Sequence, residues 1–423
     1  MKAEVVTIGS EILAGLIPEG NFRLIAEHLA SEGVAVTRHT VVPDEREALG
    51  SVLRAALGRS PLVITTGGLG ATPDDVTRRV LASALGCKLI FRESLLAELQ
   101  EKYRRRGRVP SPALEAMALV PAGAQPVPNP VGMAPGFLLH AESSLLCALP
   151  GVPAEMEAML TATLLPLIKR EGGGSLVVET LRTAGIPESV VYERVAPVVG
   201  EEVSVGYQPS AGRVDLRLSV TDGEKGRAAL VATVRRLAEA LGPALYGRGR
   251  VTLEETVLEM LQRVKRSLAV AESLTGGRIG AALTQVPGSS AVFRGGVAAY
   301  SDAAKQRLLG VSERTLARHG AVSAQTAREM ASGARRALEA EIAISATGLA
   351  GPGGGSAEKP IGLVYFGYSD ARATKAFGVR FGGNRELIQQ QAVTVALNLL
   401  RLALIGRLDG LVPSASRQAA QDR

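Results

Sequence analysis

Through the first third of the chain, short apolar β-branched runs alternate with stretches of helical period. Residues 4–8, 34–42 and 62–66 read as strands, and residues 22–31 and 45–57 between them carry apolar positions three and four apart. That alternation predicts βαβ crossovers and a parallel sheet. Gly33 follows the first helix as a C′ residue, and Asp44 with Glu47 three residues on reads as a capping box before the second. A later helix over 95–104 runs into Arg104, Arg105, Arg106 and Arg108, which reads either as a solvated basic face or as a contact for phosphate or nucleic acid.

The texture changes near residue 171. The triplet Gly172–Gly174 and the run GPALYGRG at 242–249 read as linkers. Between them residues 203–207 and 213–220 alternate like strands and 225–241 is helical, a small α+β module. With no cluster of His, Cys or carboxylates, it is expected to have a structural or positioning role. From Thr252 the αβ pattern returns: a helix to about 265, a strand into Ala271, a helix over 323–338, strands at 342–347, 361–368 and 375–381, and a closing helix from Arg385. The tail 413–423 lacks apolar periodicity and is expected to be disordered. The fold class is therefore α/β in three domains: an α/β sandwich over 1–170, an α+β module over 171–250 and a second α/β domain over 251–412.

Composition narrows the class of protein. With 423 residues and 46% hydrophobic positions there is material for several cores, and 48 glycines without a Gly-X-Y period exclude collagen. A net charge of +7 suits anionic partners such as nucleotides, while 3% aromatic residues leave few stacking platforms for single strands, so DNA is an unlikely partner. Cys87 and Cys147 are too few for a disulfide framework and fit a reducing cytosol; either also reads as a buried apolar residue. The N-terminus lacks the apolar core of an export signal, and the greasiest stretch, 396–405, is interrupted by Asn398 and Arg401. A soluble cytoplasmic protein without a membrane partner is expected, and symmetry base rates suggest a homodimer.

Two glycine-rich constellations carry the candidate chemistry. Strand 62–66 runs into Gly67-Gly68-Leu69-Gly70-Ala71-Thr72-Pro73-Asp74-Asp75 ahead of a helix, where backbone N–H groups and the helix dipole favour a phosphate. Asp74 reads as an N-cap or, with Asp75, as a holder of a divalent cation. The loops containing Gly132, Pro135 and Gly136, and Pro150-Gly151-Val152-Pro153, also lie beside predicted strands, where ligand crevices form in open α/β sheets.

In the third segment Glu272-Ser273-Leu274-Thr275-Gly276-Gly277, Pro287-Gly288-Ser289-Ser290 and Tyr300 with Lys305 gather hydroxyls near a lysine. The segment's one histidine, His319, reads as a surface residue, so no Ser-His-Asp triad is available. A lysine of depressed pKa can activate a serine instead. Thr347 then leads into the glycine-rich run 348–355, and Arg385 opens the last helix with a cation that could pair a phosphate.

Gly9-Ser10-Glu11, Gly20-Asn21, loop 67–77, loop 132–137 and Pro150–Pro153 together resemble the molybdopterin-binding (MoaB/MogA-like) domain of the competence/damage-inducible protein A (CinA) family. The motifs at 272–277, 287–290, Tyr300 with Lys305, 347–355 and 359–362 resemble that family's nicotinamide-nucleotide amidase (PncC) domain, so the resemblance spans essentially the whole chain. Ala71 stands where the family more often has Pro, Ser10 where it often has Asp or Thr, and Asn384 where it usually has Asp.

The resemblance implies hydrolysis of nicotinamide mononucleotide to nicotinate mononucleotide and ammonia, in pyridine-nucleotide salvage, with no cofactor. It makes Ser290 the nucleophile, Lys305 its activator and Tyr300 a catalytic neighbour, with Ser273, Thr275, Gly276, Thr347, Gly348, Gly351 and Arg385 binding substrate. For the first domain it implies a pyrophosphatase acting on ADP-ribose with Co²⁺ or Mg²⁺. Gly9, Glu11, Asn21, Gly67, Gly68, Gly70, Thr72, Gly132, Pro135 and Gly136 would bind that substrate, and Asp74, Asp75 and Asp44 the metal; related domains of this fold bind a pterin. The alternatives are a non-catalytic regulatory or DNA-associated protein, or a chain in which only one site works.

Overall fold

The computed structural model describes residues 1–141, 143–170 and 176–408. The expected linker Gly172–Gly174 and tail 413–423 lie outside the described residues. The chain divides into two compact units, Met1–Val178 with Ser219–Arg227, and Glu179–Leu218 with the residues from Ala228 onward.

The first unit is built on a six-stranded sheet ordered Ala35–Val42, Lys2–Ile8, Leu62–Thr66, Ser144–Leu149, Gly136–Ala141, Gln125–Val127. The first four strands are parallel and the last two run antiparallel. Leu62–Thr66 and Ser144–Leu149 are buried along their whole length, and helices on both faces are what make an uninterrupted apolar run the stable choice there. One face packs Val6 and Val63 against Leu49, Leu53, Leu81 and Leu99, and the other packs Val5 and Ile64 against Ile25, Leu29, Met156 and Ile168. Cys147 lies in this core as an apolar residue, its thiol pushed up to about 12 by burial.

Helix Asn21–Ser31 closes as expected, with Gly33 left-handed at φ 71° and its N–H returning to Ala30. The expected capping box at Asp44 does not form. Helix Arg46–Leu57 begins after Glu45 without a side-chain cap, and Asp44 faces the other way. Its carboxylate accepts the Ser10 N–H at 2.8 Å, and its own N–H donates to Ser10 Oγ at 3.1 Å.

In the middle module the strands are ordered Ser204–Ser210, Arg213–Thr221, Leu176–Ala184, Leu245–Arg248, with helices Glu188–Val195 and Glu224–Leu241 between them in sequence. This is the βαββαβ order of a split βαβ fold.

The C-terminal sheet is ordered Phe293–Ala298, Leu268–Glu272, Ile342–Gly348, Leu363–Ser369, Thr374–Arg380, the first three parallel and the rest antiparallel. Helix Leu253–Arg263 carries a complete Thr252–Glu255 capping box. The closing helix Arg385–Leu404 is long and apolar enough to cross a bilayer by composition, but it forms the core of this unit, with Ala392, Ala396, Leu397 and Leu400 fully buried.

Strand Phe293–Ala298 is absent from the sequence pattern because Gly295 and Gly296 make it look like a loop. A Cβ on Gly296 would stand 2.6 Å from Val270 Cγ2 on the neighbouring strand, so close packing is what requires glycine there.

Candidate active site

In both α/β domains several of the candidate residues lie where parallel strands end, the position at which open sheets leave a crevice. In the first domain Gly9, Asp44, Gly67 and Pro150 follow the four parallel strands. Asn21 joins two of these ends: its Nδ2 donates to Thr66 Oγ1 at 2.9 Å and to the Gly151 carbonyl at 2.7 Å. Its Oδ1 is buried and has no hydrogen-bond partner.

The glycines of this crevice are explained first by the protein's own packing. A Cβ on Gly67 would lie 2.2 Å from the Ile8 carbonyl oxygen, and one on Gly68 2.2 Å from Thr77 Oγ1. A Cβ on Gly136 would lie 2.3 Å from the Ala148 carbonyl oxygen, and one on Gly132 1.8 Å from the Glu155 carboxylate carbon. Glu11 stands exposed beside Gly9, whose Cβ would meet its carboxylate at 2.9 Å.

Asp75 is a loop clip. Its carboxylate accepts the Gly70 N–H at 2.7 Å, the Thr72 N–H at 2.8 Å and the Thr72 hydroxyl at 2.5 Å. Asp74 is exposed, its carboxyl held below the usual range by hydrogen bonding to Thr72. Asp44 is tied to Ser10, and among the described residues no three or more His, Cys, Asp or Glu side chains group around a point. Asp44, Asp74 and Asp75 therefore do not fit a preformed cation cage.

Arg78, which the sequence pattern did not single out, binds the loops together. Its buried guanidinium donates to the carbonyls of Gly70 and Pro135, each at 3.2 Å, and burial pushes its pKa down to about 10 against the opposing pull of Asp75. The signal was a cation in the first turn after a glycine-rich loop. The basic run is similarly engaged: Arg104 and Arg105 pair with Glu101, Lys102 donates to the Asn129 carbonyl, and Arg106 donates to the Val131 carbonyl.

In the C-terminal domain a cavity of about 240 Å³ is lined by Ser273, Tyr300, Lys305, Thr347, Gly348, Gly351 and Arg385, with Ala321 and Val322. Ser273 directly follows strand Leu268–Glu272, Tyr300 follows Phe293–Ala298 by two residues, and Thr347 and Gly348 end the third parallel strand. Lys305, on helix Asp302–Leu309, is only 1% exposed; its Nζ donates to the Tyr300 carbonyl at 3.2 Å and lies 3.9 Å from Asp302. Desolvation holds its ammonium below the usual lysine range, against the weaker pull of Asp302. Arg385 spans the mouth, donating to the Gly351 carbonyl at 2.8 Å and to the Tyr300 hydroxyl at 3.1 Å. The Thr347 hydroxyl donates to the Ala321 carbonyl at 2.8 Å.

The structure does not bring Ser290 to Lys305. Ser290 is exposed in the one-turn segment Ser289–Ala291 and does not line the cavity. The reason is directional: Ser290 precedes strand Phe293–Ala298, whereas Tyr300 follows it, so the two lie at opposite ends of a six-residue strand that spans roughly 20 Å. The serine on the cavity side is Ser273. Thr275 and Gly276 do not line the cavity either. Gly276, left-handed at φ 59°, returns its N–H to the Ser273 carbonyl, and Thr275 Oγ1 is buried without a partner. His319 is exposed at the end of helix Glu313–His319, and its carbonyl accepts from Lys359.

The fold and sites define a chain that joins an α/β domain with a glycine-lined crevice to a second α/β domain with a serine–lysine cavity. The family model for a probable molybdopterin binding domain matches residues 4–170, that for the damage-inducible protein CinA KH domain 179–247, and that for the CinA C-terminal domain 250–404. A CinA-like protein of Parasynechococcus marenigrum is 43% identical over 412 residues, covering 96% of this chain and 98% of the relative. A putative competence-damage inducible protein of Caldanaerobacter subterraneus is 38% identical over 409 residues, covering 96% and 99%. A solved competence/damage inducible protein from Agrobacterium tumefaciens is 41% identical over 36% of this chain and 93% of its own, with a TM-score of 0.35. The chain belongs to the CinA family.

Proposed function

We propose that the C-terminal domain hydrolyses the carboxamide of nicotinamide mononucleotide. The carrying observation is that Ser273 and the desolvated Lys305 line one cavity together with the glycine-rich loop at 348–353. Lys305, deprotonated more readily than an exposed lysine, accepts the Ser273 hydroxyl proton as Oγ attacks the amide carbon. The tetrahedral adduct collapses with cleavage of the C–N bond, and Lys305 returns the proton to the departing ammonia. Water then attacks the acyl-serine, its proton passing through Lys305, to release nicotinate mononucleotide and regenerate Ser273. Arg385, which also lines the cavity, is proposed to pair the phosphate. Formation of nicotinate mononucleotide with equimolar ammonia tests this reading, and its absence from freshly purified protein would overturn it.

The N-terminal crevice is proposed to cleave the pyrophosphate of ADP-ribose to AMP and ribose 5-phosphate. The support is the convergence of Gly9, the Gly67–Gly70 turn and Gly151 at three strand ends, two of them joined by Asn21. Because no cage is preassembled among the described residues, Co²⁺ or Mg²⁺ is proposed to come with the substrate's phosphates, as Mg²⁺ commonly does. A second reading, contact of the middle module with nucleic acid, is favoured by the KH-domain match. In its Gly-X-X-Gly tetrapeptide, Gly223–Gly226, the second glycine is already required by packing, since a Cβ there would lie 2.1 Å from the Thr221 carbonyl. A salt titration of single-strand binding separates this reading from the enzymatic one.

A further inference from the structure

Glu272 is not used by the proposed chemistry, yet it is only 2% exposed and directly precedes Ser273. One of its carboxylate oxygens accepts the N–H groups of Gly277 and Ile279, both at 3.0 Å, and the other accepts that of Gly280 at 2.9 Å. The chain can fold back onto this carboxylate because Gly276 and Gly277 are both left-handed, at φ 59° and 98°. Ser273 is pinned from two further sides: its N–H donates to the Ala346 carbonyl at 2.9 Å, and its carbonyl accepts the Gly276 N–H at 3.2 Å.

Two consequences follow. The turn carrying the serine is organised around a buried carboxylate and not around the ligand. The N–H groups of Gly277, Ile279 and Gly280 at the start of helix Arg278–Thr284 are satisfied by this internal anion.

We propose that Glu272 is a positioning residue, which shapes the Ser273–Gly277 turn so that the hydroxyl faces Lys305. This rests on reading the cavity as an amidase site, so the test carries one readout that does not depend on turnover.

Glu272→Gln keeps the size of the side chain but turns an NH₂ toward N–H donors. With folding confirmed by thermal unfolding, kcat on nicotinamide mononucleotide is expected to fall about 10- to 100-fold. KM should stay within about twofold, because Arg385, proposed to pair the phosphate, is untouched. In Glu272→Ala, added formate should restore part of kcat by refilling the carboxylate's place. Amide hydrogen exchange at Gly277, Ile279 and Gly280 should be slow in the wild type and faster in the Gln variant. Unchanged kcat in an active enzyme, or unchanged exchange, overturns the proposal. Faster exchange in the variant of a wild-type protein that releases no ammonia would support the positioning geometry and overturn the amidase reading instead.

Discussion

Lys305 Nζ lies 3.2 Å from the backbone carbonyl of Tyr300, and this neutral acceptor is the ammonium's hydrogen-bond partner in an almost fully buried site. A carbonyl stabilises the charge less than a carboxylate would, and Asp302, 3.9 Å away and 60% exposed, offsets only part of the desolvation. The neutral amine is thereby made accessible. The rate kcat/KM for amide hydrolysis should rise with pH and level off at an apparent pKa below the ordinary lysine value of 10.5. Lys305→Arg, which keeps the charge but cannot deprotonate, should be inactive across the whole range.

The same burial has a stability consequence. Because the folded-state pKa of Lys305 is depressed, the unfolded chain binds the proton more tightly, and stability rises as pH increases between the depressed value and 10.5. Lys305→Met removes the desolvated charge. Its thermal midpoint at neutral pH should equal or exceed that of the wild type, and the difference should shrink as pH approaches 10.5. A variant that is much less stable at every pH would show the lysine to be a net structural support.

Glycines in the two glycine-rich loops are not equivalent. Gly67→Ala places a methyl 2.2 Å from the Ile8 carbonyl on a backbone at φ 111° and should cost the first unit about 1–3 kcal/mol or more in a urea titration. Gly353→Ala has nothing within 4 Å of the new atom and a φ outside the left-handed region, so it should leave stability unchanged.

Asp75→Ala separates a clip from a metal ligand. Loss of the acceptor for Gly70 and Thr72 should destabilise the first unit by about 1–3 kcal/mol and lower turnover of ADP-ribose. The metal concentration giving half-maximal rate should not move. A large rise in that concentration would restore Asp75 as a ligand.

Three of the four parallel strands of the first domain, the two glycine loops and the Tyr300–Lys305 pair were legible because apolar runs, turn residues and hydroxyl–lysine proximity are local signals. Which serine shares a cavity with the lysine was not, since that depends on the end of a strand at which each one lies. Strand Phe293–Ala298 is concealed by Gly295 and Gly296; without it, Ser290 looks adjacent to Tyr300, whereas the strand separates them. Asp44 and Asp75 misled for a related reason: their types suited a cap and a metal, but their partners, Ser10, Gly70 and Thr72, are set by loop paths. Arg78 was hidden because nothing local shows that a charged residue will be buried against two carbonyls.

The most direct measurement of the central claim is ammonia release from nicotinamide mononucleotide by the wild type, Ser273→Ala and Ser290→Ala under identical conditions. Activity is expected to fall by about 10³-fold or more in Ser273→Ala and to stay within about twofold of wild type in Ser290→Ala. The reverse pattern, an active Ser273→Ala and an inactive Ser290→Ala, would contradict the account.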